Sequence, residues 1–134
     1  MIRTKRWNNP VDPDDGLRLL ITRYRPRGVR REDATWDDWW KDLAPSKELH
    51  ADWYGKRGRR ISIAEFEERY LKEMQGEAAR SALAVLTEMH LAGKTITLLC
   101  YCADEQCCHR TLVKRLVETS AERGAQVAGM PATR

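Results

Sequence analysis

Apolar positions recur along the chain with two different periods, and the change of period marks the elements. Leu17-Arg18-Leu19-Leu20-Ile21-Thr22 is short and mostly apolar, which predicts a strand in a buried sheet position. From Thr95 the period is two again, with Ile96, Leu98, Cys100 and Cys102 on one face and Thr95, Thr97, Leu99 and Tyr101 on the other. Both faces are buryable, so this predicts a central strand. Helical spacing dominates between the two strands. Ile63, Phe66, Tyr70 and Met74 follow a capping box at Ser62 and Glu65, and Ala79, Ala82, Leu83, Leu86 and Met89 continue as far as Gly93. Leu49 and Trp53 predict a shorter helix capped by Ser46, and Leu112, Val113, Leu116 and Val117 predict a last one.

Two further stretches are read from weaker patterns. The first residues predict an edge strand, after which Asn8 to Gly16 is dense in turn formers. Thr35 stands where an N-cap would, and Trp36, Trp39, Trp40 and Leu43 at i, i+3, i+4 and i+7 predict a helix with an indole face turned to the core. The tail from Gly124 to Arg134 lacks a periodic apolar face and is expected to be loose. Strands alternating with helices predict an α/β fold, a small single-domain sandwich over residues 1–134 with a short, largely parallel sheet flanked by helices.

Composition narrows the class. With 134 residues, 42% hydrophobic and 33% charged, the chain is long enough for one core, and no apolar run approaches the length of a membrane span. The basic N-terminus is followed by Trp, two Asn and Pro rather than an apolar segment, so a cytoplasmic protein is expected, with no membrane partner. The net charge of +4 is uneven: residues 1–60 hold 15 Lys and Arg against 10 Asp and Glu, and residues 61–134 hold 9 against 10. Such a basic first part suits a phosphate-containing small molecule or nucleic acid, and equally suits plain solubility. Neither a Walker-type nor a Gly-x-Gly-x-x-Gly motif is present, which disfavours an ATPase or a Rossmann dehydrogenase.

Candidate chemistry concentrates in two loops. Arg23 to Arg31 carries five arginines punctuated by Pro26 and Gly28, directly after the first secure strand. All four cysteines fall between Cys100 and Cys108, in a strand-loop-helix transition that continues into His109 and Arg110. Ligands of parallel sheets sit beyond the carboxyl ends of the strands, so the two loops are expected to share a pocket. In that pocket Arg23, Arg25, Arg27 and Arg110 would bind an anion, helped by the backbone N–H groups of a helix starting near Cys108. Cys108 at that start, with its thiolate favoured, is the candidate nucleophile, and His109 the candidate acid/base. Adjacent residues diverge at a helix start, however, and the sequence offers no third group to orient the imidazole. In a reducing compartment clustered thiols serve as metal ligands, reactive groups or packing. Cys100, Cys102, Cys107 or Cys108, and His109 would alternatively hold zinc or an iron–sulfur cluster, with neither favoured and the spacing unlike paired Cys-x2-Cys. The plainer expectation for Cys100 and Cys102 is a pair of small buried strand residues.

Several segments together resemble the DUF488, or YeaO-like, family: Asp14-Asp15-Gly16, the Arg23-to-Gly28 stretch ending Pro26-Arg27-Gly28, Trp39, Lys41 to Ser46 and Leu49, Phe66 and Tyr70, and Thr97-Leu98-Leu99 with Asp104, Glu105 and His109. The resemblance spans most of the chain and implies an α/β domain, while bringing no reaction with it. The chain departs from the YeaO-like pattern at Thr22, at Arg25 and in its cysteines. At Cys108-His109-Arg110 it is closer to other members of the wider family.

Overall fold

The computed structural model describes residues 1–102 and 108–128, with side chains as far as residue 124. Its centre is a four-stranded, wholly parallel sheet of order β1-β4-β2-β3, formed by β1 (Ile2–Arg6), β2 (Leu17–Leu20), β3 (Asp38–Trp39) and β4 (Ile96–Cys100). β4 sits between β1 and β2, with Ile96 opposite both Ile2 and Leu17. All five of its residues are buried, as the double-sided apolar pattern requires. Four helices complete the domain: α1 (Lys47–Trp53), α2 (Ile63–Glu73), α3 (Glu77–Leu91) and α4 (His109–Ala128). The parallel α/β architecture predicted from the alternation of periods is therefore the observed one. None of the helices among the described residues is long and apolar enough to cross a membrane.

Alternate strand positions divide the interior. Ile2, Leu19, Ile21, Ile96 and Leu98 join Leu49, Phe66, Tyr70, Leu86, Val113 and Val117 of the helices in one apolar core. Arg18, Leu20, Thr97 and Leu99 face the other way and are buried as well. There the polar groups are closed by short chain segments: Arg18 Nε donates to Thr35 O at 2.5 Å, Arg18 Nη2 to Asn9 O at 3.0 Å, and Thr97 Oγ1 to Asp15 O at 2.7 Å.

Local signals hold at the caps. Ser46 Oγ accepts from Leu49 N at 3.1 Å, and Ser62 Oγ from Glu65 N at 3.1 Å. On α2, Phe66 and Tyr70 are buried and Met74 follows at its C-cap, whereas Ile63 is 48% exposed and serves the helix start only. Tyr70 Oη reaches across to donate to Leu43 O at 2.6 Å in the core. Tyr70→Phe would leave that carbonyl unsatisfied, and a loss of about 1–2 kcal/mol is expected in urea unfolding.

One expectation is corrected. Residues 35–43 are not a helix: the segment holds β3 and then a 3-10 turn, Lys41–Leu43. Asp37 N and Trp40 N donate to Arg18 O and Leu20 O at 2.7 and 2.9 Å, committing the backbone to the open edge of β2. Its indole N–H groups are used locally, Trp39 Nε1 on Thr22 O at 2.7 Å and Trp40 Nε1 on Asp38 Oδ2 at 2.9 Å. Sheet pairing outweighs the weak helix propensity of three tryptophans, which end up half-buried rather than in the core. α4 runs past Gly124 to Ala128, and the rest of the stretch expected to be loose, 129–134, lies outside the described residues. Leu91 of α3 lies 3.8 Å from where a Cβ on Gly124 would stand.

Candidate functional site

Adjacent strands β2 and β4 end at the same edge of the sheet, so the chain leaving each enters one region. A small cleft, open to solvent, lies there. Thr22 and Arg23 line it from the chain leaving β2, Tyr101 and Cys102 from the chain leaving β4, and His109 from the first turn of α4. The opposite wall is aromatic: His50, Trp53 and Tyr54 of α1 and its C-cap, with Phe66 of α2. The chain leaving β2, the chain leaving β4 and the start of α4 thus meet in one cleft, because β4 is inserted beside β2 rather than at the edge.

Among the described residues the lining holds one guanidinium and two imidazoles, and no carboxylate. Arg23 is fixed by its backbone contacts, Nε donating to Pro45 O at 2.8 Å and Nη2 to Lys41 O at 3.5 Å. His50 sits between Tyr24 and Tyr54, with ring centroids 5.0 and 4.7 Å away. Its pKa is lowered by burial and then by the charges of Lys56 and Arg23. A positive field therefore reaches the cleft from two sides.

His109 is 7% exposed. Its Nε2 lies 2.6 Å from Ile21 O, and since a carbonyl only accepts, the ring proton is on Nε2 and Nδ1 carries the lone pair. Ile21 is thus the orienting group that the sequence did not disclose, and Tyr70 supports the ring face at 5.4 Å. Burial pushes the His109 pKa down to about 4; the Ile21 hydrogen bond opposes this, and the charges of Arg110 and His50 add to it. The imidazole is neutral at pH 7. Its Nδ1 faces Cys108 Sγ at 3.8 Å, so these neighbours do converge despite their adjacency at a helix start.

The thiols divide differently from expectation. Cys100 is fully buried at the end of β4 and Cys108 is 3% exposed before α4. Cys102 is not a strand residue: β4 ends two residues earlier, and Cys102 stands half-buried on the cleft wall. The sulfurs of Cys100, Cys102 and Cys108 all lie within 4.8 Å of one another. Cys107, with the expected 103–106 loop, lies outside the described residues.

Among the described arginines, only Arg23 lines the cleft. Arg25 donates from Nη1 to Val29 O at 2.5 Å and lies 5.1 Å from the centre of the Trp36 ring. Arg27 is exposed, although both charges lower the Tyr101 phenol pKa against the burial that raises it. Arg110 is 2% exposed and points inward from α4. His50, Trp53, Tyr54 and Tyr101 were not anticipated at the site. The one available signal was the run His50, Trp53, Tyr54, which at i, i+3, i+4 places three rings along one side of α1.

A family model described as the active DUF488-N3 subclade, DUF488-N3a, matches residues 2–121. The uncharacterised proteins Rv3073c of Mycobacterium tuberculosis and Mb3100c of Mycobacterium bovis are each 42% identical over 86 residues, covering 64% of this chain and 70% of theirs. The uncharacterised protein YeaO of Escherichia coli is 37% identical over 73 residues, 54% of this chain and 61% of that protein. No solved structure matches.

Proposed function

Because the chain belongs to the DUF488 family, through its DUF488-N3a branch, and holds the guanidinium of Arg23 in a cleft at its sheet edge, we propose that it binds an anionic small molecule there, of the phosphate-ester class. The observation that carries this is the convergence of Arg23 with the start of α4 on one cleft. A fixed guanidinium supplies charge-assisted hydrogen bonds, and a helix start supplies partial positive charge. Trp53, Tyr54, Phe66 and Tyr101 would take an apolar or planar part of the same ligand. Arg25 and Arg27 would act at longer range through the field that already reaches Tyr101. The matched subclade's description as active agrees with a cleft equipped for chemistry, in which the neutral His109 is the group able to accept a proton.

Titrations with inorganic phosphate and with phenyl phosphate at low salt test the proposal, followed by calorimetry. Both probes are expected to bind, phenyl phosphate about tenfold more tightly through the aromatic wall. Arg23→Gln is expected to weaken both by about tenfold or more. Absence of binding at millimolar probe, or affinity untouched by Arg23→Gln, would remove the anion site.

A further inference from the structure

We propose that Cys100, Cys102 and Cys108 form a three-thiolate site for a soft divalent metal ion, zinc by its chemistry, with the fourth coordination position turned toward the cleft. The site stands apart from the anion proposal, since the sulfurs gather whether or not a phosphate ester occupies the cleft.

Position is the first support. Two of the three thiols are delivered by rigid elements, Cys100 by the last residue of β4 and Cys108 by the residue before α4, and Cys102 closes the group from the strand exit. All three sulfurs fall within 4.8 Å of one another. Zinc binds thiolate at about 2.3 Å in a tetrahedron, which asks for sulfurs about 3.8 Å apart. Reduction of the Cys100–Cys108 bond and separation of its two sulfurs would bring the group to that spacing.

The backbone gives the second support. Cys100 and Cys108 are joined sulfur to sulfur in the structure, yet their Cα atoms are 7.6 Å apart. Disulfides span about 4.4–6.8 Å between Cα atoms, and beyond about 7 Å the backbone has to move. A metal bridging two thiolates adds two bonds of about 2.3 Å between the side chains and so suits the wider spacing. Once the sulfur–sulfur bond is reduced, the spacing of the strand end and the helix start suits a metal-bridged pair.

A neighbouring imidazole is the third. His109 Nδ1 lies 3.8 Å from Cys108 Sγ, and its Nε2–H is held by Ile21 O, the kind of backbone anchor that orients imidazoles around metal centres. His109 and Cys102 both line the cleft, so the side of the metal left open by three thiolates faces solvent and any ligand there. Three protein ligands with one open position are the arrangement zinc adopts where it meets a substrate or water. The unusual spacing, Cys-x-Cys and then a thiol six residues on, follows from using a strand end and a helix start in place of two turns.

The test uses the full chain, reduced, stripped of metal and titrated with cobalt(II), then zinc. Equimolar binding with a thiolate-to-cobalt charge-transfer band, abolished by equimolar zinc, is expected. Cys102→Ser, at a half-buried position the fold tolerates, should lower the band by roughly a third and weaken zinc by more than about tenfold. Bound zinc should also slow alkylation of Cys100, Cys102 and Cys108 together, mapped on peptides, which would exclude Cys108 as a free nucleophile. No charge-transfer band from folded, reduced protein would overturn the proposal. So would a band indifferent to Cys102→Ser, or a chain that recovers a Cys100–Cys108 disulfide and takes up no metal. The phosphate titrations are read separately, so failure of one proposal leaves the other's result standing.

Discussion

Asp15→Asn is expected to destabilise the protein by about 3–5 kcal/mol, lowering its midpoint by roughly 10–20 °C in a thermal scan. Asp15 is 1% exposed, and Arg18 Nη1 meets its Oδ2 at 2.5 Å while itself 2% exposed. Lys5 Nζ stands 2.8 Å from Oδ1, Arg3 Nη1 3.4 Å from it, and Asp12 N donates to Oδ2 at 3.0 Å. An amide keeps the shape and loses the charge, leaving the Arg18 guanidinium buried without its counter-ion. Surface pairs such as Arg30 with Asp33 are both well exposed, and removing one is expected to cost less than about 1 kcal/mol. The same cluster sets an acid limit. Burial raises the Asp15 pKa, but hydrogen bonds from Lys5, Asp12 N–H and Arg18 bring it down to about 2. A folded pKa below the unfolded one gives stability that is present above pH 4 and is lost as pH falls toward 2. Denaturant midpoints measured between pH 5 and pH 2 should fall steeply for the native chain and less steeply for Asp15→Asn. Parallel slopes would show that another carboxylate governs acid unfolding. Because Asp15 lies at the amino edge of the sheet, the folded fraction of Asp15→Asn should bind phosphate as the native chain does.

Gly16→Ala is the second large effect, expected at about 3–5 kcal/mol or as failure to accumulate folded protein. Gly16 has φ 63° and ψ −134°, a region that side chains rarely enter. A Cβ there would stand 2.1 Å from Thr95 O and 2.8 Å from Thr95 C. That carbonyl also receives Leu17 N at 3.0 Å where β2 begins to pair with β4, so it cannot move away without opening the sheet. Matched urea unfolding of native and Gly16→Ala protein checks this, and a midpoint within error of the native one would refute the close approach. Asp14-Asp15-Gly16, one of the segments that carry the family resemblance, is thus a bracket holding the strands at the edge opposite the cleft. Its role is in the fold and not in the site.

Elements with long apolar periods were legible from the residues alone. Leu17 to Leu20, Ile96 to Cys100, the faces of α2 and α3, and the Ser46 and Ser62 caps all depend on neighbours within a turn or a strand, and local chemistry specifies them. The tryptophan segment was not legible, because indoles at helical spacing are compatible with either period and the backbone of 37–40 was claimed by β2, some twenty residues earlier in the chain. At the site, the gathering of cysteines, His109 and Arg110 around a strand-to-helix transition was visible. Which thiol meets the cleft was not, since it depends on β4 ending at Cys100 rather than continuing to Cys102.

By itself, then, the sequence determined the kinds of element, their caps and the chemistry available at the carboxyl edge: thiols, an imidazole and arginines. Tertiary structure alone decided that β4 lies between β1 and β2, and with it that Arg23 shares a cleft with His109, that Ile21 O orients the imidazole, and that three sulfurs meet. The physical reason is range. Period and capping are set by contacts a few residues apart, whereas strand order is set by pairing between Leu17 and Ile96, across more than half of the chain, where no local pattern records which partner will win.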